Sequence, residues 1–154
     1  MGKILAKNKR AYFDYTILDK TEAGLVLAGH EVKSIREGNV NLKGAYVTLK
    51  DQPGNRLPEA YLINAHISLY SKASLEDYDP TRSRKILLKK SEISQLLGKR
   101  QEKGLTMVPL TMYSKRGKIK LTVGLGRVKK KQDKRQDIKK REDKRSIERA
   151  LRNK

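Results

Sequence analysis

Short apolar runs, each cut off by a turn-forming residue, recur along the first four fifths of the chain. They occupy residues 25–27, 45–49, 60–63, 86–88, 106–110 and 119–123. Most are bounded by Gly, Pro, Asn or Asp, the punctuation expected of strands. Lys115-Arg116-Gly117-Lys118 lies between the last two runs and predicts a hairpin turn. Pro109 has no N–H to give a ladder, so its run is expected to hold an edge or a bulge. Two stretches have helical spacing instead. In 91–97, Ile93, Leu96 and Leu97 fall on one face, with Ser91 as the expected N-cap and Gly98 as the stop. In 30–36, Val32 and Ile35 turn inward, which places Lys33 and Arg36 outward. Several short strands with two or more helices predict a mainly β fold: a closed antiparallel barrel of the OB type over residues 1–125.

Beyond residue 125 the pattern stops. Residues 126–154 hold fourteen Lys/Arg and five Asp/Glu, and only Val128, Ile138, Ile147, Ala150 and Leu151 are apolar. Five such residues cannot enclose a core, so this segment is expected to be disordered alone and helical once a partner neutralises it. Asp137/Arg141 and Glu148/Arg152 have the i, i+4 spacing of helical ion pairs.

Charge changes the picture further. The 154 residues carry 37 Lys/Arg against 17 Asp/Glu, a net +20, of which +9 belongs to the tail and +11 to the body. A field of that size attracts phosphate. No apolar run approaches the roughly 20 residues of a membrane span, no secretory signal is present and Cys is absent, so a soluble cytoplasmic protein is expected.

Catalytic chemistry finds little support. His30 and His66 are the only side chains with an ordinary pKa near neutrality. Glu76, Asp77 and Asp79 could hold Mg²⁺ for a nuclease, but Asp79-Pro80 starts turns, and acidic residues there would balance Arg82, Arg84 and Lys85. Gly124-Leu125-Gly126 is a strand end rather than a dinucleotide fingerprint. No catalytic residue, metal or cofactor is assigned. Tyr46, Tyr61 and Tyr113 sit in apolar strands and are expected in the core. Binding is therefore expected to go through RNA phosphate and shape, with few stacked bases.

An ordered set of motifs carries a resemblance. It comprises Asn8-Lys9-Arg10-Ala11, Glu22-Ala23-Gly24-Leu25-Val26-Leu27, the stretch from Gly29 to Gly38, and Asn41-Leu42. The stretch from Asp79 to Leu88, then Val108-Pro109-Leu110 and Asp133-Lys134-Arg135 complete it. Together they resemble the SmpB (small protein B, SsrA-binding) family, the partners of tmRNA in bacterial trans-translation, from about residue 8 to 150.

That resemblance implies a non-catalytic adaptor with two RNA partners. The body would bind the tRNA-like domain of tmRNA and enter the empty A site of a stalled ribosome. The tail would lie in the decoding centre and vacant mRNA channel, against small-subunit rRNA. EF-Tu would take part indirectly, through alanyl-tmRNA. Family roles in tmRNA binding fall on Glu22, Leu87 and Lys120, with Lys9, Arg10, Lys33 and Arg36 as further expected contacts. Lys120 would meet phosphate, and Leu87 would pack on a sugar or base unless it is simply core. Glu22 would accept a hydrogen bond or orient a neighbouring cation. The ribosome-binding tail falls on Arg127, Lys129, Lys130, Lys131, Gln132, Asp133, Lys134 and Arg135, the last three matching the accommodation motif. The chain departs from the family pattern at three positions. Gln132 stands where an aromatic or His is usual and stacks poorly. Val128 replaces a usual Gly and stiffens the junction. Phe13 stands where many members have His. Two competing readings remain: a ribosomal protein with a basic extension, and the nuclease built on Glu76, Asp77 and Asp79.

Overall fold

The computed structural model describes residues 2–102 and 104–152. Strand β1 (Ile4–Lys7) leads into a short helix α1 (Lys9–Asp14) and the long strand β2 (Tyr15–Leu25). Helix α2 (Gly29–Arg36) is followed by β3 (Val40–Asn41), β4 (Tyr46–Lys50), β5 (Glu59–Ile63), β6 (His66–Ile67) and β7 (Arg84–Leu87). Helix α3 (Lys90–Arg100) precedes the paired strands β8 (Leu105–Lys115) and β9 (Lys118–Val128), and α4 (Lys131–Arg152) ends the described chain.

Strand pairing runs β4–β5–β7–β2–β9–β8 and returns to β4, with β1 laid along β8. The return joint is narrow, with Val47 opposite Met107. Period-two alternation sends Val47, Leu49, Ala60, Leu62, Ile86, Leu121 and Val123 to one interior, closed by Ile35 of α2 and Leu96 of α3. A second, smaller core lies on the other side of the sheet, where Ala11 of α1 packs on Val108 and Leu110 with Tyr12, Tyr15 and Ile17 beside them.

The expected hairpin forms, with Arg116 at φ 52° and Gly117 at φ 75°, the signature of a primed turn. The Pro109 expectation is met by a bulge between Pro109 and Thr111. Other expectations are corrected. The run at 25–27 is not a strand of its own: Leu25 is the last residue of β2, which begins at Tyr15, and Val26 and Leu27 lie in the link to α2. Helix α3 is capped two residues earlier than Ser91, at Lys89, whose N–H the Glu92 carboxylate accepts at 2.9 Å. Gly98 does not stop it, since the helix continues to Arg100 over open space. Gly124 and Gly126 lie inside β9, where a Cβ on Gly124 would come 2.6 Å from Leu110 Cδ1. Their bareness lets the second core close on the strand.

The Asn8-Lys9-Arg10-Ala11 stretch acquires a mechanical reading. Buried Asn8 donates its Nδ2 to the Pro109 carbonyl at 2.9 Å, and its Oδ1 accepts the Ala11 N–H at 3.2 Å. Ala11 then faces the second core while Lys9 and Arg10 face solvent.

Arg82 and Arg84 are not balanced by the acidic loop. Both go to Glu31 of α2, whose side chain is 0% exposed. Glu31 Oε2 accepts Arg84 Nη2 at 2.7 Å and the Tyr78 hydroxyl at 3.0 Å, and Oε1 accepts the Ala28 N–H at 3.0 Å with Arg82 Nη2 close beside it. Arg84 also donates to the Ala65 and Pro80 carbonyls. Burial opposes the charge, but the bonds from Arg82, the Ala28 backbone and Arg84 outweigh it, holding the carboxyl at about 2. Asp79 is spent in a turn, accepting the Thr81 N–H at 2.9 Å.

Candidate nucleic-acid interface

Three strands meet at the hairpin end of the sheet. Gly24 of β2 is paired with Leu87 on one side and Lys120 on the other, so one cross-strand row reads Leu87–Gly24–Lys120. Glu22 lies two residues along β2 and shares that face. The three residues singled out in the sequence are thus brought together although 65 positions separate the first two. The missing Gly24 side chain leaves a shallow place between them, and a Cβ there would touch Leu87 at 3.4 Å.

Leu87 is not core: it is 52% exposed, an apolar side chain on a charged face. A groove of about 320 Å³ continues from it past Val32 of α2 to Lys118 and Lys120. Arg36 sits at its end and donates to the Gly117 carbonyl at 2.8 Å, tying α2 to the hairpin turn. Glu22 accepts the Tyr113 hydroxyl and Lys115 Nζ, the latter at 3.2 Å. These two donors, Tyr113 first, hold its carboxyl below the ordinary range, so it is ionised at neutral pH. Burial and the Glu22 charge push the Tyr113 hydroxyl up to about 12.

Not every expected contact joins this face. Lys33 lies over the Tyr70 ring, 5.5 Å from its centroid. Lys9 and Arg10 are at the far end of the sheet: α1 abuts Tyr15, which pairs with Val128, eight residues along β9 from Lys120. That is about 26 Å of strand. Of the three tyrosines expected in the core, Tyr113 is buried, Tyr61 is half-buried and Tyr46 is 42% exposed. The alternation of β4 sends Val47 and Leu49 inward and therefore Tyr46 outward.

The basic segment begins later than residue 126. Arg127 and Val128 still pair with Thr16 and Tyr15, and the Lys129 N–H reaches the Asp14 carbonyl at 2.9 Å. Helix α4 has no buried residue, yet its first turns lie against α1. Lys134 meets the Asp14 carboxylate at 3.2 Å. Phe13 collects three cations, with Arg10 at 5.2 Å, Lys134 at 5.7 Å and Arg141 at 5.6 Å from its centroid. Asp137 takes Lys129, whose ammonium also reaches the Tyr12 carbonyl at 3.0 Å, so both halves of the expected Asp137/Arg141 pair are spent elsewhere. Lys130, Lys131, Gln132, Asp133 and Arg135 remain exposed. The last two positions of the expected tail, Asn153 and Lys154, fall outside the described residues.

Sequence reasoning missed Tyr113 as a polar partner and Phe13 as a docking point. Their partners lie 91 residues away on β2 and across a helix–helix contact, which no local pattern records. Among the described residues no three His, Asp or Glu side chains stand close enough to hold a metal. No helix among them is long and apolar enough to cross a membrane.

A family model described as SmpB protein matches residues 5–153. An SsrA-binding protein of Acaryochloris marina is 49% identical over 150 residues, covering 97% of this chain and 94% of the relative. One from Anoxybacillus flavithermus is 50% identical over 151 residues, covering 98% and 94%. Among solved structures, one described as "tmRNA-SmpB: a journey to the center of the bacterial ribosome" is similar at a TM-score of 0.65 and 46% identity, covering 82% of this chain and 85% of that one.

Proposed function

The chain belongs to the SmpB family, and from that premise we propose that it binds the tRNA-like domain of tmRNA and carries it into the A site of stalled ribosomes. The observation that carries this reading is the Leu87–Gly24–Lys120 row with Glu22 beside it, an apolar, a basic and an acidic side chain gathered on one exposed face. Lys120 supplies charge for a phosphate. Leu87 packs on a ribose or base edge. Glu22 cannot attract phosphate and serves as a hydrogen-bond acceptor. Arg36 completes the basic border of the groove. We read the ring of strand pairings as an OB-type barrel, which holds these positions rigidly.

The tail is the second RNA surface. Its exposed cations Arg127, Lys130, Lys131 and Arg135 follow small-subunit rRNA through the decoding centre and mRNA channel, with Lys129 and Lys134 at the base of the helix. Gln132 contributes hydrogen bonds where an aromatic would stack, and Asp133-Lys134-Arg135 supports accommodation. EF-Tu enters through alanyl-tmRNA rather than by contact with this chain. In this reading no bond is made or broken by the protein.

A truncation tests both surfaces. Removing residues 131–154 keeps β9 intact, so binding of a tRNA-like-domain transcript should persist while tagging on stalled ribosomes is lost. Equal affinity of the truncated body for that transcript and for an unrelated hairpin would refute the reading.

A further inference from the structure

An acidic side chain in the middle of an RNA-binding face invites explanation, because it repels the backbone it should help to bind. Glu22 is exposed, ionised and surrounded by Lys115 and Lys120. A surface ion pair with Lys115 alone would contribute little. The unusual feature is its other partner. Tyr113 is only 2% exposed, and it sits opposite Lys120 in the β8–β9 ladder, whereas Glu22 lies opposite Thr122. Its hydroxyl therefore crosses β9 diagonally to reach Glu22. A ring only 2% exposed is a far stiffer mount than a surface lysine.

The two carboxylate oxygens are used unequally. Oε2 takes the Tyr113 hydroxyl and the nearer Lys115 contact at 3.2 Å, while Oε1 has only Lys115 at 3.4 Å. We propose that Tyr113 is a positioning residue for RNA recognition, locking Glu22 through Oε2 so that Oε1 accepts a hydrogen bond from the bound RNA. The donor is a ribose 2′-hydroxyl or a base amino group, the neutral donors that RNA presents beside its phosphates. The proposal rests on the reading that the tRNA-like RNA lies on the Glu22–Lys120 face. Its physical logic is preorganisation: a carboxylate already fixed loses no rotamer freedom on binding. It also serves discrimination, since an unpaired fixed carboxylate penalises any polyanion that offers phosphate but no donor at that point.

The test uses the full chain and a transcript of the tRNA-like domain. Tyr113→Phe keeps the ring and removes the hydroxyl. It should weaken binding about five- to tenfold, within the range of the net contribution of one hydrogen bond, and leave the salt dependence of affinity unchanged because no phosphate contact is lost. Glu22→Gln should weaken binding similarly, and the double variant should be no weaker than Glu22→Gln alone. Full additivity would overturn the positioning role. On the RNA side, single 2′-deoxy substitutions or removal of single exocyclic amines should identify one position whose loss weakens the unsubstituted protein but not Glu22→Gln. The first set of substitutions selects ribose as the donor and the second selects a base. This arm stands even if Tyr113→Phe folds poorly, and finding no such position would overturn the proposal. If Lys120→Ala and Glu22→Gln both bind normally, the assignment of the face itself fails. If they weaken binding and Tyr113→Phe does not, only the inference about Tyr113 fails.

Discussion

Replacing Glu31 by Gln removes one charge from the molecule and strands another. Arg84 has a side chain 0% exposed and would keep only neutral partners: backbone carbonyls, the Tyr78 hydroxyl and at most the new amide oxygen. Breaking a buried pair in this way costs about 3–5 kcal/mol, a large part of the roughly 5–15 kcal/mol that holds a domain of this size together. The proton equilibrium gives a second, independent measure. Glu31 titrates at about 2 when folded, against an ordinary value of 4.5. That gap corresponds to about 3 kcal/mol. Because the folded value is depressed, the stabilisation is complete above the unfolded value and is lost as pH falls towards the folded one. Urea unfolding followed by circular dichroism should show Glu31→Gln destabilised at about pH 7. The gap between it and the parent should shrink to about 1 kcal/mol near pH 3, following the linkage relation. Glu31→Leu with Arg84→Met should recover much of the loss, since neither charge then remains buried. A cost under about 1 kcal/mol at neutral pH, or a gap that does not change with pH, would refute the view of Glu31 as the ionised anchor of this network.

Lys120→Ala should lower tRNA-like-domain affinity and reduce the slope of log K against log salt by about one; an unchanged slope would remove Lys120 from the phosphate contacts. Gly124→Ala places a Cβ where Leu110 Cδ1 now stands 2.6 Å away; thermal unfolding should show a loss of about 1–3 kcal/mol from overpacking. Phe13→Ala removes the ring shared by Arg10, Lys134 and Arg141. Exposed cation–π contacts are worth about 0.5–1 kcal/mol each, so amide exchange over residues 131–141 should quicken several-fold, and unchanged protection would refute the docking contact.

The sequence announced those parts of the fold that depend on local pattern. The hairpin at 115–118, the bulge at Pro109 and the inward faces of α2 and β5 all follow from turn chemistry or alternation. β2 escaped notice because Thr16–Gly24 mixes polar and apolar positions; its partners β7 and β9 make it a strand. α1 escaped because its signal is one Asn, whose cap is completed by the Pro109 carbonyl across 101 residues. At the candidate site, the resemblance pointed to Glu22, Leu87 and Lys120, and the ladder explains why these three belong together. Lys9 and Arg10 were grouped with them on chemistry alone, yet strand length puts them at the opposite end. Arg82 and Arg84 looked like loop charges because their partner, Glu31, is about fifty positions upstream.

The contact between α1 and α4 has a mechanical consequence. Twenty-two helical residues span about 33 Å. Only the first turns are clamped, by Asp14, Phe13 and the Lys129–Asp137 pair. α4 is therefore a lever with a short fixed arm and a long free one. A tilt of about 10° at α1 would sweep the far end through about 6 Å, as the length of an unbent rod requires. Val128 closes β9 without the swivel a glycine would allow, so the bearing of this lever is α1 itself.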